Sequence, residues 1–325
     1  PRATSEESTM GVAVPQPADP TAEGGDKPGG SVRASLLVFL GPAVLLLLVF
    51  LVYPTLYTIA LAFDRGRRGE FTEFVGLRNF EQLLTQDPNF INFSTFPPSG
   101  ALWNNVLWIV FYTSIVIFLG LIIAVMATRV RYEAIIKTVV FLPMAIAATA
   151  LAVIWIFVYA PSSKIGLLNA ILGQFGVAPV SWLGDPGLVN ASLIAVGVWG
   201  SVGFATVILS AAIKSISSEI IEAARVDGAS EIHIFRRIIV PMVSLPISVL
   251  AITLIVNVIK LFDLIFVMTR GGPGTASRVI GFTMYQESFP GGQFGKGAAV
   301  AVIMLIILIP IMIFNVRRFR TESVT

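Results

Sequence analysis

The chain contains no cysteine and a single histidine, His233. Disulfides and thiolate metal sites are therefore excluded. A histidine-rich metal site, or a Ser-His-Asp triad inside a membrane, is not available either. Charge is also scarce: Asp, Glu, Lys and Arg make up 13% of 325 residues, against about 25% in soluble domains. A soluble fold of this size needs more polar surface than that. No Gly-x-x-x-x-Gly-Lys-Ser/Thr phosphate loop occurs. The nearest pattern, Gly291–Gly297, has glycine where the hydroxyl residue belongs, so the chain is not expected to hydrolyse ATP or to hold a cofactor. The net charge is +3. Its basic residues flank apolar blocks, which points to membrane orientation and not to nucleic acid. The only dense acidic group, Glu219, Glu222, Asp227 and Glu231, is explained by helix and loop chemistry, so no membrane-embedded enzyme is indicated.

Apolar residues make up 55% of the chain, with a mean hydropathy of +0.85. Crossing about 30 Å of hydrocarbon takes roughly 20 helical residues. Six segments qualify: Leu36–Phe63, Asn104–Thr128, Ala134–Ala160, Ala191–Ile213, Ile238–Met268 and Gly297–Val316. Backbone polar groups in lipid must be satisfied within the segment, so these are helices. The expected class is an all-α membrane protein with about six transmembrane helices. The first apolar block is too long for a signal-peptide core, and no small-residue cleavage site follows it. Residues 1–32 are rich in Pro, Gly, Ala, Asp and Glu and are expected to be a disordered cytoplasmic tail. Residues 33–320 are expected to form the membrane domain, and 321–325 a second tail.

Basic residues set the expected orientation. Arg129, Arg131 and Lys137 follow the second span; Lys214, Arg225, Arg236 and Arg237 follow the fourth; Arg317, Arg318 and Arg320 follow the last. With Arg33 before the first span, all lie on one side if both termini are cytoplasmic. The Arg65–Arg68 cluster lies close to the first span and runs against this orientation. Val75–Leu84 reads either as a short helix at the membrane surface or as an ordered loop.

The loop over 214–237 is the most informative stretch. Ser217 or Ser218 can cap a helix whose first turns carry Glu219 and Glu222, where the dipole favours acids. Asp227-Gly228 stops it, since glycine takes the left-handed conformation at low cost. Ala229–Arg237 can form a second helix leading to Pro241. The product is a short helix-turn-helix on the cytoplasmic face. A plain connection lying on the headgroups fits the composition equally well.

The pattern Glu222-Ala223-Ala224, three residues, Gly228, nine residues, then Ile238-Ile239-Val240-Pro241 resembles the EAA motif of ABC-importer permeases. Val240 stands where that family usually has leucine. Phe74–Phe80, Phe141-Leu142-Pro143, Met268–Pro273 and Phe294–Ala299 are similar to further motifs of the carbohydrate branch. Asn104–Trp108 and Ile165–Ala170 resemble its α-glucoside permeases. The likeness runs from about Leu36 to Arg320. It implies a type I ABC-importer permease in a bacterial inner membrane, importing a di- or oligosaccharide such as an α-glucoside. Glu222, Ala223, Ala224, Asp227 and Gly228 would then couple to a partner ATPase dimer, which binds ATP and Mg. A second homologous permease and an extracytoplasmic sugar-binding protein complete the implied assembly.

Polar residues at membrane depth usually face a cavity or another helix. Asn257, Lys260 and Asp263 are spaced three apart on one expected helical face, and the fourth span offers Trp199, Ser201 and Phe204. The resemblance places sugar contacts at Gly200, Ser201, Phe204, Asn257, Val258 and Leu261. Val258 and Leu261 stand where the maltose pattern has asparagines. The residues alone leave Asn257 free to bond a neighbouring helix, and Lys260 with Asp263 free to form a headgroup-level pair. Import of another polyol derivative such as glycerol phosphate, or ion-coupled secondary transport, are the alternatives. No internal repeat supports the last.

Overall fold

A computed structural model describes residues 30–94, 96–128 and 130–322, with side chains between 36 and 317. The segment to residue 29, Arg129, and the side chains of Arg33, Arg318 and Arg320 lie outside the described residues. Helix begins at Gly30, three residues before the expected start of the membrane domain. The described residues to Thr55 and those from Leu56 fall into two units. In the first, no side chain between Leu36 and Thr55 is buried, and Thr55 Oγ1 donates back to Leu51 O at 2.7 Å.

Among the described residues every regular element is helical, with only isolated β-bridges. Among the described residues four unbroken helices are long and apolar enough to cross a membrane: α1 (Leu36–Leu61), α2 (Ala101–Ala127), α6 (Val189–Lys214) and α12 (Phe294–Arg317). Two bent pairs are long and apolar enough only when taken together, making up to six spans if each pair is one. α3 (Glu133–Ala145) and α4 (Ala148–Val158) meet at 98°, and α8 (Glu231–Met242) and α9 (Ser244–Ile259) at 69°. The shorter helices include α5 (Leu167–Gln174), α7 (Ser218–Val226), α10 (Asp263–Met268) and α11 (Ile280–Ser288), and Arg78–Glu81 continues through Gln82–Gln86 as a short helical stretch where a helix or a loop is expected over Val75–Leu84.

The bends depart from the continuous third and fifth spans expected from hydropathy. Pro143 has no N–H to continue the helical ladder. The chain tightens over Leu142–Ala145 and then runs extended through Ile146 (ψ 131°) and Ala147 (ψ 140°). In the fifth span the helix breaks at Val243, between Pro241 and Pro246, and ends at Ile259 instead of Met268. Asn257, Lys260 and Asp263 therefore do not share one helical face: Lys260 caps α9 and Asp263 opens α10. Lys260 and Asp263 are both exposed, and no ion pair between them is found among the described residues.

α6 is the central rod. Gly197, Gly200 and Gly203 recur every three residues, and each meets a different neighbour. A Cβ on Gly197 would lie 2.9 Å from the Trp108 ring, on Gly200 3.1 Å from Leu151, and on Gly203 2.3 Å from Val140 O. On the facing helix, a Cβ on Gly120 would lie 2.6 Å from that of Ala205. Small residues let backbones approach where lipid supplies no hydrophobic drive between helices. At one end Glu133 pairs with Lys137 at 2.5 Å and Lys214 at 2.8 Å, joining the start of α3 to the end of α6. Two cations counted toward orientation thus share one carboxylate, which offsets one of their two charges.

At the opposite end Asp64 is buried. Burial pushes its carboxyl pKa up, but backbone N–H groups of Thr72, Gly66 and Glu73 outweigh that and hold it below the ordinary value. A carboxylate so held orders its loop above the unfolded-state pKa and releases it as pH falls through the lowered one. Amide-exchange protection at Thr72 and Glu73, corrected for intrinsic rates, should persist from neutral pH to about pH 4 and be lost on further acidification. Asp64→Asn should abolish that pH dependence. For the packing, Gly203→Leu should lower stability by about 1–3 kcal/mol through overpacking, read as a fall in melting temperature in detergent. Gly173→Ala, with no atom within 4 Å of its new Cβ, should not.

Candidate functional site

Helix α7 stops as its sequence directs. Gly228 is left-handed at φ +80°, its N–H reaches Arg225 O at 3.0 Å, and Ala229 N reaches Ala224 O at 2.9 Å. These are the two bonds of a Schellman cap. Ser217 occupies the N-cap position but makes no side-chain cap bond. Ser230 caps α8, accepting from His233 N at 3.3 Å. Arg225 Nε and Glu231 Oε1 pair at 3.0 Å across the turn. Ile221, Ala224 and Ala229 pack on the apolar core, whereas Glu222, Ala223, Val226, Asp227 and Gly228 are exposed, Val226 by 87%. α8 then carries the chain directly into the membrane-spanning part. His233 is exposed.

A cavity of about 210 Å³ lies between α2, the α3–α4 bend, α6 and the end of α9. Gly200, Ser201, Asn257, Val258 and Leu261 all line it. Phe204 stands apart from that lining, packed on the core. Sequence reasoning missed Trp108 and Tyr112, which line the same cavity. The Tyr112 hydroxyl donates to Ser201 Oγ at 2.8 Å, and the Trp108 indole N–H has no acceptor among the described residues. Aromatic side chains, a hydroxyl and a carboxamide on one wall suit a polyhydroxylated ligand. The signal for Tyr112 was available, since a tyrosine inside an apolar helix needs a partner for its hydroxyl.

The remaining motif residues hold chain breaks. Asn105 Nδ2 donates to Val258 O at 3.1 Å, and its Oδ1 accepts from Ile280 N at 2.8 Å. Asn104 Nδ2 donates to Ala276 O and Arg278 O at 2.9 and 2.7 Å. Asn169 donates to Ala160 O and Val180 O, and accepts from Val180 N and the Trp182 indole. Asn79 donates to Ala62 O and Asp64 O.

Residues 116–318 match the family model described as the binding-protein-dependent transport system inner membrane component. The chain is 44% identical over 290 residues to the osmoprotective compounds uptake permease protein GgtC of Synechocystis, covering 88% of this chain and 99% of that one. It is 41% identical over 291 residues to the α-glucoside transport system permease protein AglF of Rhizobium meliloti, covering 88% and 82%. Among solved structures, a bacterial ABC transporter that imports the acidic polysaccharide alginate shares the fold, with a TM-score of 0.72, 23% identity, and coverage of 90% and 96%.

Asn105→Ala would strand the buried Ile280 N–H, while Val258 O keeps its bond from Leu261 N at 3.1 Å, and should cost about 1–3 kcal/mol, measured as a fall in melting temperature. Asn257→Ala, exposed and without a side-chain hydrogen bond among the described residues, should leave the melting temperature unchanged.

Proposed function

The chain belongs to the binding-protein-dependent inner membrane components of ABC transporters, and from that premise we propose that it is a sugar-translocating permease of an ATP-driven importer, carrying an α-glucoside. It would work with a second permease, a dimer of ATP-hydrolysing subunits that binds ATP and Mg, and an extracytoplasmic binding protein. Both termini would lie in the cytoplasm. The observation that carries the reading is the capped turn at Gly228. It presents Glu222, Ala223, Val226 and Asp227 outward while its other face is fixed to the core. A partner seated on that face can push α8, and through α8 the membrane-spanning helices, without first deforming the turn.

The cavity is the proposed sugar path, with Ser201, Asn257, Val258 and Leu261 on its wall. Phe204 belongs to the proposed path only as a neighbour of Ser201. At about 210 Å³ it falls below the roughly 300–1,000 Å³ of small-molecule sites. The second permease would therefore complete it. A smaller osmoprotective solute is the second reading, favoured by the 44% identity to a permease for such compounds.

Gly228→Ile forces a β-branched residue into left-handed space, although nothing lies within 4 Å of its Cβ. With the reconstituted importer, uptake should fall about tenfold or more, equivalent to roughly 1.4 kcal/mol, with membrane insertion intact. Gly228→Asn, which tolerates that backbone, should retain uptake. Normal transport by the isoleucine variant would sink the coupling role. Leu261→Trp should raise the KM for labelled maltose, trehalose or sucrose; uptake of glycine betaine in preference to all three would select the second reading.

A further inference from the structure

A second concavity, of about 840 Å³, lies between the loop after α1 and the approach to α12. It shares no lining residue with the proposed sugar path. Arg65, Arg67, Arg68, Arg78, Gln293 and Lys296 are among its walls. Arg65 is paired with Glu73 at 2.9 Å, and Lys296 with Asp87 and Glu287 at 3.4 and 3.5 Å. Among the described residues no carboxylate comes within 4 Å of Arg67, Arg68 or Arg78. Three guanidinium groups thus share one basin with their charge uncompensated.

The basin is built, not collapsed. Gly295 N donates to Gly66 O at 3.2 Å, and a Cβ on Gly295 would lie 2.0 Å from Asp64 O, so the two walls are interlocked. Arg68 sits at φ +55° and Gly69 at φ +86° in a turn closed by Glu70 N to Arg67 O at 3.1 Å. Glycine or asparagine would take the first of those positions with less strain. Retained strain of this kind marks positions held for a purpose.

Depth identifies the occupant. The Tyr57 hydroxyl donates to Gly69 O at 2.6 Å, and the Phe71 ring packs edge-on against Tyr57 at 5.0 Å. Tyr57 precedes the end of the first span by about one helical turn, so the arginine turn lies alongside the span's final turn, where headgroups sit. Phe71, Phe74 and Leu77 flank it and are 50%, 80% and 68% exposed. Aromatic side chains at this level are membrane-interface anchors. An acidic protein surface or a free anion would satisfy the arginines but leave that apolar rim in water.

We propose that Arg67, Arg68 and Arg78 bind the phosphate of an anionic phospholipid headgroup, with the acyl chains lying along Phe71, Phe74 and Leu77. Guanidinium forks match phosphate oxygens in geometry as well as charge. The proposal rests on the family's membrane placement and not on the sugar assigned to the cavity. It also accounts for the one basic cluster that runs against the expected orientation.

The test uses the full chain with its partner subunits, purified in mild detergent and depleted of lipid. Dioleoylphosphatidylglycerol, dioleoylphosphatidylcholine and inorganic phosphate are titrated separately, and bound lipid is counted by native mass spectrometry. Phosphatidylglycerol should be retained in preference to phosphatidylcholine. Each arginine replaced in Arg67→Gln/Arg78→Gln should weaken its retention by about fivefold. Arg68→Gly, which relieves the turn, should weaken retention while holding or raising the melting temperature, so loss of binding is separated from loss of fold. Unchanged phosphatidylglycerol retention in these variants overturns the proposal. So does equal displacement by inorganic phosphate, which would mark a free-anion site. So too does intact lipid retention with lost stimulation of ATP hydrolysis by the binding protein, which would mark a protein dock. Because the readout is lipid, it survives failure of the transport reading.

Discussion

A primary amide carries two N–H donors and one acceptor, and this chain uses that small group at several of the places where a helix stops. Hydrocarbon offers no water to a freed carbonyl, and each unsatisfied group there costs several kcal/mol. Asn79, Asn104, Asn105 and Asn169 each bond backbone carbonyls on both sides of a turn or between distant segments. Asn105 alone links the end of α9 to the start of α11. At the end of α9 and just past the end of α4, these side chains bond backbone carbonyls where the helix has stopped.

Glycine is the complement of that device. The stripe Gly197, Gly200 and Gly203 brings the α3–α4 bend and the Trp108–Tyr112 face up to α6. The cavity forms where those three contacts diverge, and its wall includes Pro143 and Ile146 at the bend itself. Irregular backbone at membrane depth is tolerated where it lines a cavity or is buried in protein. The proline that breaks the third span is thus also what shapes the proposed path.

Hydropathy made the apolar blocks legible, four as unbroken helices and two as bent pairs, because it registers composition. It could not register direction, so the bends at Ile146-Ala147 and Val243 were invisible despite Pro143 and Pro241 standing in plain view. The same blindness placed Asn257, Lys260 and Asp263 on one face of a helix that ends between them. The turn at Gly228 was legible because a cap is local chemistry, confined to a few adjacent residues. The asparagine bridges were not, since their partners lie up to 175 residues away; Tyr112 signalled only that its hydroxyl needs a partner, which stands 89 residues on at Ser201. The motifs at Asn104–Trp108 and Ile165–Ala170 correspond in the structure to backbone clamps. Their asparagines, Asn104, Asn105 and Asn169, are occupied mostly with backbone groups, while Trp108 lines the cavity.

The turn between α7 and α8 is held by two kinds of force with different sensitivities. Arg225 and Glu231 are both about half exposed, and such pairs are worth no more than about 1 kcal/mol and weaken with ionic strength. The backbone bonds at Gly228 and Ala229, and the apolar contacts of Ile221 and Ala224, carry no net charge. The elbow's shape is therefore set by the salt-indifferent terms. A cell that concentrates ions under drought or hypersaline stress would soften the electrostatic staple and leave the mechanical linkage stiff.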